Sequence, residues 1–314
     1  MSWRVRAAQA LSRNVRDVLA QTALVAVATA DGDGYSVELN DGCPADGRFE
    51  IGSITKTMTG AVLASLADDG IVGIDDEIGR WLDAGRNADI TVRQLATHTS
   101  GLPRLSPSHV LGAPDPYAFL TAAVAEEELR RTPCRPRETE HDYSNFGFQL
   151  LGMVLERADG APFGQLLQRR LFGPLGMSGT GVPGQGRGGT RITGTFRGAP
   201  AKPWNGHLWG AGGVEASADD MGRYLFACLS PPDSAVGHAI RVAQRPHFEI
   251  DPLRSAGLGW ALGPPGYLGH DGGTSGFRSM LGIKLTTRRA AAVFVNEQDA
   301  RGLALAVRTS LDAA

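Results

Sequence analysis

Apolar residues along the chain follow two periods, and the period changes twice. "ALVAVATADGDGYSVELN" reads as two strands around an Asp-Gly turn at Asp31–Gly34. Before it, Val5, Leu11, Val15 and Leu19 fall partly on one face of an amphipathic helix. After it, "GSITKTMTGAVLASLADDG" places Met58, Val62 and Leu66 at helical spacing. The helix starts near Ser53, and Gly70 is its stop. Helical periodicity continues through "TVRQLATHTSGL", "DPYAFLTAAVAEEELRR", "GFQLLGMVLERADG" and "FGQLLQRRLFGPLGM". Strand patterns return in "RSMLGIKLTT" and "AAAVFVNE", and "GLALAVRTSLDA" closes the chain as a helix. The pattern predicts an α/β lobe of about residues 1–50 and 205–314 whose two parts share one sheet. A mostly helical block, about 51–204, is inserted beside it. "GTGVPGQGRGGT", Gly179 to Thr190, reads as a mobile surface loop.

Composition narrows the functions. At 314 residues and 42% apolar, the chain has ample material for a large core. A net charge of −2 with no basic stripe argues against a nucleic-acid partner. No apolar run approaches the ~20 residues of a membrane helix. Charges at Arg4, Arg6, Arg13, Arg16 and Asp17 break up any secretory h-region, so a cytoplasmic location is expected. Cys43, Cys134 and Cys228 are odd in number and widely spaced. They form neither a full disulfide framework nor a metal-type pair, and a reducing compartment fits.

Lys and Arg total 31, yet only Lys56, Lys202 and Lys284 are lysines. Arg stays protonated, whereas a buried Lys can lose its proton and act as a base. Lys56 stands three residues after Ser53, so the two share a helix face at the positive end of the helix dipole. A serine hydroxyl becomes a nucleophile when a neighbour takes its proton. By itself the pair equally fits a helix cap followed by a surface lysine. Two further constellations add to it. "EHDYSNFGF" holds Tyr143 and Asn145, a phenol for proton transfer and an amide able to hold an amine. "LGHDGGTSGFRSML" holds His270, Gly272 and Gly273; glycines allow a strand edge to approach a substrate and offer an oxyanion donor. A half-buried tyrosine and a Gly-rich hairpin are the plain alternatives.

In this order, S-x-x-K, Y-x-N and H-x-G resemble the class C β-lactamase-like serine hydrolases. That group includes penicillin-binding-protein-type peptidases, family VIII esterases and some acyltransferases. "DDEIGRWLD", "TVRQLATHTSGLP", "LFGPLGMSGT", "GAGGVEASADDMGRYL" and "GLGW" extend the likeness over nearly the whole chain. The resemblance implies a β-lactamase/transpeptidase-like fold with an antiparallel sheet flanked by helices. It also implies a cofactor-free covalent mechanism. Ser53 is acylated by an ester, amide or lactam, Lys56 and Tyr143 handle its proton, and Asn145 orients Lys56 and the acyl chain. The backbone N–H groups of Ser53 and Gly273 hold the oxyanion.

No G-x-S-x-G elbow and no Cys/His ligand cluster competes with this reading, so no metal is expected. "GQGRGG" matches G-x-G-x-x-G at Gly184, Gly186 and Gly189 but follows no strand, which disfavours a dinucleotide site. His98 reads as a structural residue at a helix end and His141 as a surface one. His270 stands where the family can carry the lysine of K-T-G. Histidine is mostly neutral at pH 7, which weakens the case for binding a carboxylate. The expectation is therefore a carboxylesterase of small acyl esters. A D-amino-acid peptidase or amidase, a β-lactamase, a transacylase and a non-catalytic binding protein are the alternatives. Trp204, Trp209, Trp260 and Phe277 are candidates for an apolar acyl pocket, or ordinary core aromatics.

Overall fold

The computed structural model describes residues 2–16, 23–109, 115–134, 140–185, 188–204, 206 and 208–312. Leu19 of the first predicted helix and Gly186 of the glycine motif lie outside them. The chain opens with helix α1 (Trp3–Arg16), hairpin β1 (Val25–Asp31) and β2 (Gly34–Leu39), and the short β3 (Arg48–Glu50). A 3-10 turn at Gly52–Ile54 leads into α2 (Thr55–Asp68). The helical stretch continues with α3 (Val92–Ala96), α4 (Ala122–Arg131), α5 (Asn145–Asp159), α6 (Phe163–Leu167) and α7 (Gly173–Leu175). A small hairpin, β4 (Thr195–Phe196) and β5 (Ala199–Pro200), precedes β6 (Glu215–Ser217), α8 (Ala218–Leu229) and α9 (Ala235–Ala243). Six strands follow: β7 (Phe248–Asp251), β8 (Arg254–Ala256), β9 (Ala261–Gly263), β10 (Tyr267–Gly273), β11 (Arg278–Lys284) and β12 (Arg289–Val295). Helix α10 (Leu303–Asp312) ends the fold.

Eight strands make one antiparallel sheet in the order β2-β1-β12-β11-β10-β9-β8-β7. The N-terminal hairpin joins the C-terminal strands through β1 and β12, with Ala28 opposite Ala292. Side chains alternate across a sheet, so β1 serves two cores. Val25 and Val27 face α1 and α10, packing with Leu11, Val15 and Val307. Ala26, Ala28 and Ala30 face the other way, into the main core that holds Leu225 and Phe294. Both faces are therefore covered, and each fully buried Val or Leu contributes about 1.5–3 kcal/mol.

Two parts of the pattern fold differently from expectation. In "DPYAFLTAAVAEEELRR" the helix begins only at Ala122, where Thr121 Oγ1 accepts from Val124 N at 3.3 Å. The start of the expected mobile loop is pinned: Gly179 N and Thr180 Oγ1 both donate to Asp220 Oδ2, at 2.9 and 2.8 Å. Gly181 and Glu215 exchange backbone hydrogen bonds, which fastens the same segment to β6.

The fold delivers Ser53 on a tightly held turn. Ile51 N donates to Val214 O at 3.0 Å, and Val214 N donates to Thr55 Oγ1 at 3.1 Å. Ser279 Oγ, from β11, donates to Ile51 O at 2.9 Å. Gly52 has a φ of +52°, and a Cβ on it would lie 2.5 Å from Gly273 N. A Cβ on Gly272 would lie 2.1 Å from Ile51 O. Both glycines are thus required for the same reason: β10 docks directly against the backbone before Ser53.

Candidate active site

Lys56 is fully buried, with 0% exposure. Its Nζ lies 2.6 Å from Ala211 O, 2.8 Å from Asn145 Oδ1 and 3.0 Å from Ser53 Oγ. Burial pushes its pKa well below the usual lysine value; Asp271 opposes this and Arg104 adds to it. A neutral amine has two N–H donors and one lone pair. Ala211 O and Asn145 Oδ1 can only accept, so they take the two N–H groups. The lone pair is left for the Ser53 hydroxyl proton.

Asn145 is the first residue of α5, whose cap is Ser144: its Oγ accepts from Gly147 N at 2.9 Å. The cap fixes where the helix starts and hence where the amide points. Asn145 Nδ2 donates to Tyr117 Oη at 3.3 Å, while its Oδ1 faces Lys56.

Tyr143 is hydrogen-bonded to Ser53, and its ring lies 4.9 Å from Lys56 Nζ. Burial holds its hydroxyl well above the ordinary tyrosine range; the Ser53 hydrogen bond and Arg104 act in the opposite direction. The phenol is therefore protonated at neutral pH. The His98 ring packs on it at 4.3 Å, and His98 Nδ1 accepts from Ser144 N at 3.0 Å. Burial keeps His98 neutral, which suits a residue that locates Tyr143 and the α5 cap. His98 follows α3 with a φ of +61°, a structural place as expected. His141, expected at the surface, is half-buried and meets the His98 ring edge-on at 5.5 Å.

His270 lies behind Tyr143, with ring centroids 6.1 Å apart. Its Nδ1 donates to Asp271 O at 2.6 Å. Burial and the neighbouring Lys56 lower its pKa to about 4, so it is neutral at pH 7. It lines a separate cavity with His98, His141, Tyr143 and Trp260. Gly273, by contrast, borders Ser53 on the substrate side, and Gly272 packs beneath on the Ile51 carbonyl.

Two spaces open at Ser53. One is a pocket walled by Tyr117, Asn145, Gln149, Trp204, Trp209 and Gly273. The other is a wider cleft of about 490 Å³ bordered by Arg104, Tyr143, Asp271, Gly273 and Arg278. Trp204 and Trp209 thus reach the pocket; Trp204 Nε1 is held by Ser275 Oγ at 2.6 Å. Trp260 faces the cavity behind Tyr143 instead, and Phe277 packs edge-on against Phe49 at 6.2 Å. Tyr117, Gln149, Arg104, Asp271, Arg278 and the Ala211 carbonyl were not anticipated. Gln149 had a signal, since it follows Asn145 by four residues and shares its helix face. The Ala211 contribution is backbone and has no side-chain signature.

A family model described as Beta-lactamase matches residues 11–313. The chain belongs to the β-lactamase family. It is 31% identical over 271 residues to the D-alanyl-D-alanine-carboxypeptidase/endopeptidase AmpH of Escherichia coli (strain K12), covering 74% of this chain and 66% of that protein. It is 28% identical over 136 residues to penicillin-binding protein 4* of Bacillus subtilis (strain 168), covering 43% of this chain and 30% of that protein. The chain thus spans less than two thirds of the length of these curated relatives. Two crystal structures share the fold at a TM-score of 0.82. They are a β-lactamase/D-alanine carboxypeptidase from Pseudomonas syringae, 18% identical, and a class C β-lactamase from Rhodobacter sphaeroides, 20% identical. The first covers 99% of this chain and 98% of the other, the second 98% of both. The chain has the antiparallel fold expected for this family. Its named relatives favour the peptidase alternative over the esterase reading. No helix among the described residues is long and apolar enough to cross a membrane.

Proposed function

We propose that this β-lactamase-family hydrolase cleaves short peptides of the D-alanyl-D-alanine type through an acyl-enzyme on Ser53. One observation carries the mechanism: Lys56 Nζ is enclosed by two obligate acceptors and Ser53 Oγ. Neutral Lys56 takes the Ser53 proton as Oγ adds to the carbonyl carbon. The backbone N–H groups of Ser53 and Gly273 receive the oxyanion. Tyr143 donates its proton to the departing nitrogen and is reprotonated from Lys56, so the leaving amine departs neutral. A water then repeats the attack on the ester carbonyl, its proton passing back through the same pair.

Arg278 supports a peptide with a free carboxylate. A neutral His270 offers such a group no charge, but Arg278 lies across Gly273, with Nη1 2.7 Å from where a Cβ would stand. Its Nε donates to Gln298 O at 2.8 Å, which holds the guanidinium at the cleft. Arginine remains charged at every working pH.

Esterase activity on small acyl esters is the second reading, favoured by the neutral His270 and the uncharged pocket with Tyr117, Trp204 and Trp209 among its walls. Intact-mass measurements with p-nitrophenyl esters, a β-lactam and a D-Ala-D-Ala peptide separate these readings. The expected result is an acyl adduct on Ser53 and none on Ser53→Ala. Turnover of all donors by Ser53→Ala would remove Ser53 from the mechanism, and labelling by esters alone would favour the esterase.

A further inference from the structure

The pocket beside Ser53 is bordered by Gln149, a side chain with an unpaired polar atom. Gln149 is 3% exposed, and its Oε1 has no hydrogen-bond partner among the described residues. The other side chains lining this pocket are Ser53, Tyr117, Asn145, Trp204, Leu208, Trp209 and Ala211, none of them charged. A buried amide oxygen without a donor costs about 1–3 kcal/mol, so Gln149 is an expensive residue to keep where Leu or Met would fit.

Its position gives it a use. Asn145 and Gln149 are about one turn apart on α5, about 6 Å along the axis. Asn145 Oδ1 is bonded to Lys56, which is 3.0 Å from Ser53 Oγ. The pocket therefore runs from the nucleophile, past Asn145, to Gln149. Its volume is about 50 Å³. One water needs roughly 10–15 Å³ on such a measure, so the pocket admits about three or four heavy atoms.

We propose that this pocket receives the acyl portion of the substrate and selects a short chain ending in an O–H or N–H donor, with Gln149 Oε1 as the acceptor. The inference rests on the acyl-enzyme reading of Ser53 and adds the acyl preference to it. Gln149 is a specificity residue here: it touches the far end of the acyl group and leaves the reacting atoms to Ser53, Lys56 and Tyr143. A site built around a buried hydrogen bond rejects the analogue that lacks the bonding group, because its own polar atom stays unpaired.

The probes are p-nitrophenyl 3-hydroxypropanoate and p-nitrophenyl butanoate, which differ only by hydroxyl for methyl at the chain end. Each rate is normalised to the spontaneous hydrolysis of its own ester. The wild-type protein is expected to favour the hydroxyl ester by about tenfold or more in kcat/KM. Gln149→Met keeps the length and removes the acceptor, and its ratio is expected to invert in favour of butanoate. A wild-type ratio at or below one overturns the proposal without any variant. An unchanged ratio in Gln149→Met overturns it as well. Hydrolysis of both esters by Ser53→Ala at the wild-type rate would instead defeat the acyl-enzyme reading beneath it.

Discussion

The floor of the site and its open cleft are built on opposite principles. At the floor, Lys56 is sealed from water, and three oxygens surround its nitrogen. In the cleft, Arg104 and Arg278 border a wide space with no salt bridge to any described residue. Burial turns a lysine into a base, because water no longer stabilises its cation. Exposure leaves an arginine as a charge that steers and holds ligands without changing its own protonation. In the proposed reaction, the first region supplies the base and the second holds the carboxylate end of the substrate.

The sharpest way to break this contrast is to give the floor a permanent charge. Lys56→Arg is expected to lower kcat by about 10²–10⁴, the usual worth of a positioned base. Thermal unfolding of the same variant separates this from a folding loss. Tyr143→Phe follows, with an expected fall in kcat of about 10²–10³. An equal loss of thermal stability would mark the phenol as a packing residue.

In the cleft, Arg278→Gln is expected to act on binding. The preference for a D-Ala-D-Ala peptide over its C-terminal amide should fall about tenfold, mainly through KM, in line with one charge-assisted hydrogen bond. Loss of activity on both alike would point to damage at Gly273 instead.

The smallest effect concerns stability. Glu50 and Glu215 are cross-strand partners beneath the Ser53 turn, and burial raises the Glu50 pKa to about 7. Between the ordinary value of 4.5 and about 7, the folded state binds the extra proton, so stability falls as pH rises through this window. Glu50→Gln should be about 1–3 kcal/mol more stable than the parent at pH 8 and equal to it near pH 4.5, by urea unfolding. A constant difference across pH would rule out this titration.

Much of this arrangement was legible in the sequence, because its strongest signals are local. The helix period around Met58, Val62 and Leu66 places Ser53 and Lys56 at the head of α2. The long strands β1, β11 and β12 show themselves through mainly apolar stretches. The strands β7, β8 and β9 do not, since three or four half-exposed residues are too few for a period to emerge. β10 carries three glycines that interrupt its pattern, one of them, Gly272, needed to dock against the Ser53 turn. The cleft arginines were illegible for another reason. Their significance depends on which carboxylates they fail to meet, and only the fold decides that. His270 alone says little about carboxylate binding, because Arg278 stands on the neighbouring strand opposite Gly273.

The account stands on a neutral Lys56. The chain contains only Lys56, Lys202 and Lys284, so a protein labelled with ¹³C at lysine Cε gives three assignable NMR signals. Titration should show one signal changing well below the ordinary lysine range, near 10.4, and that signal should be missing from Lys56→Arg. Three signals titrating together near that value would mean that Lys56 keeps its proton and is not the base.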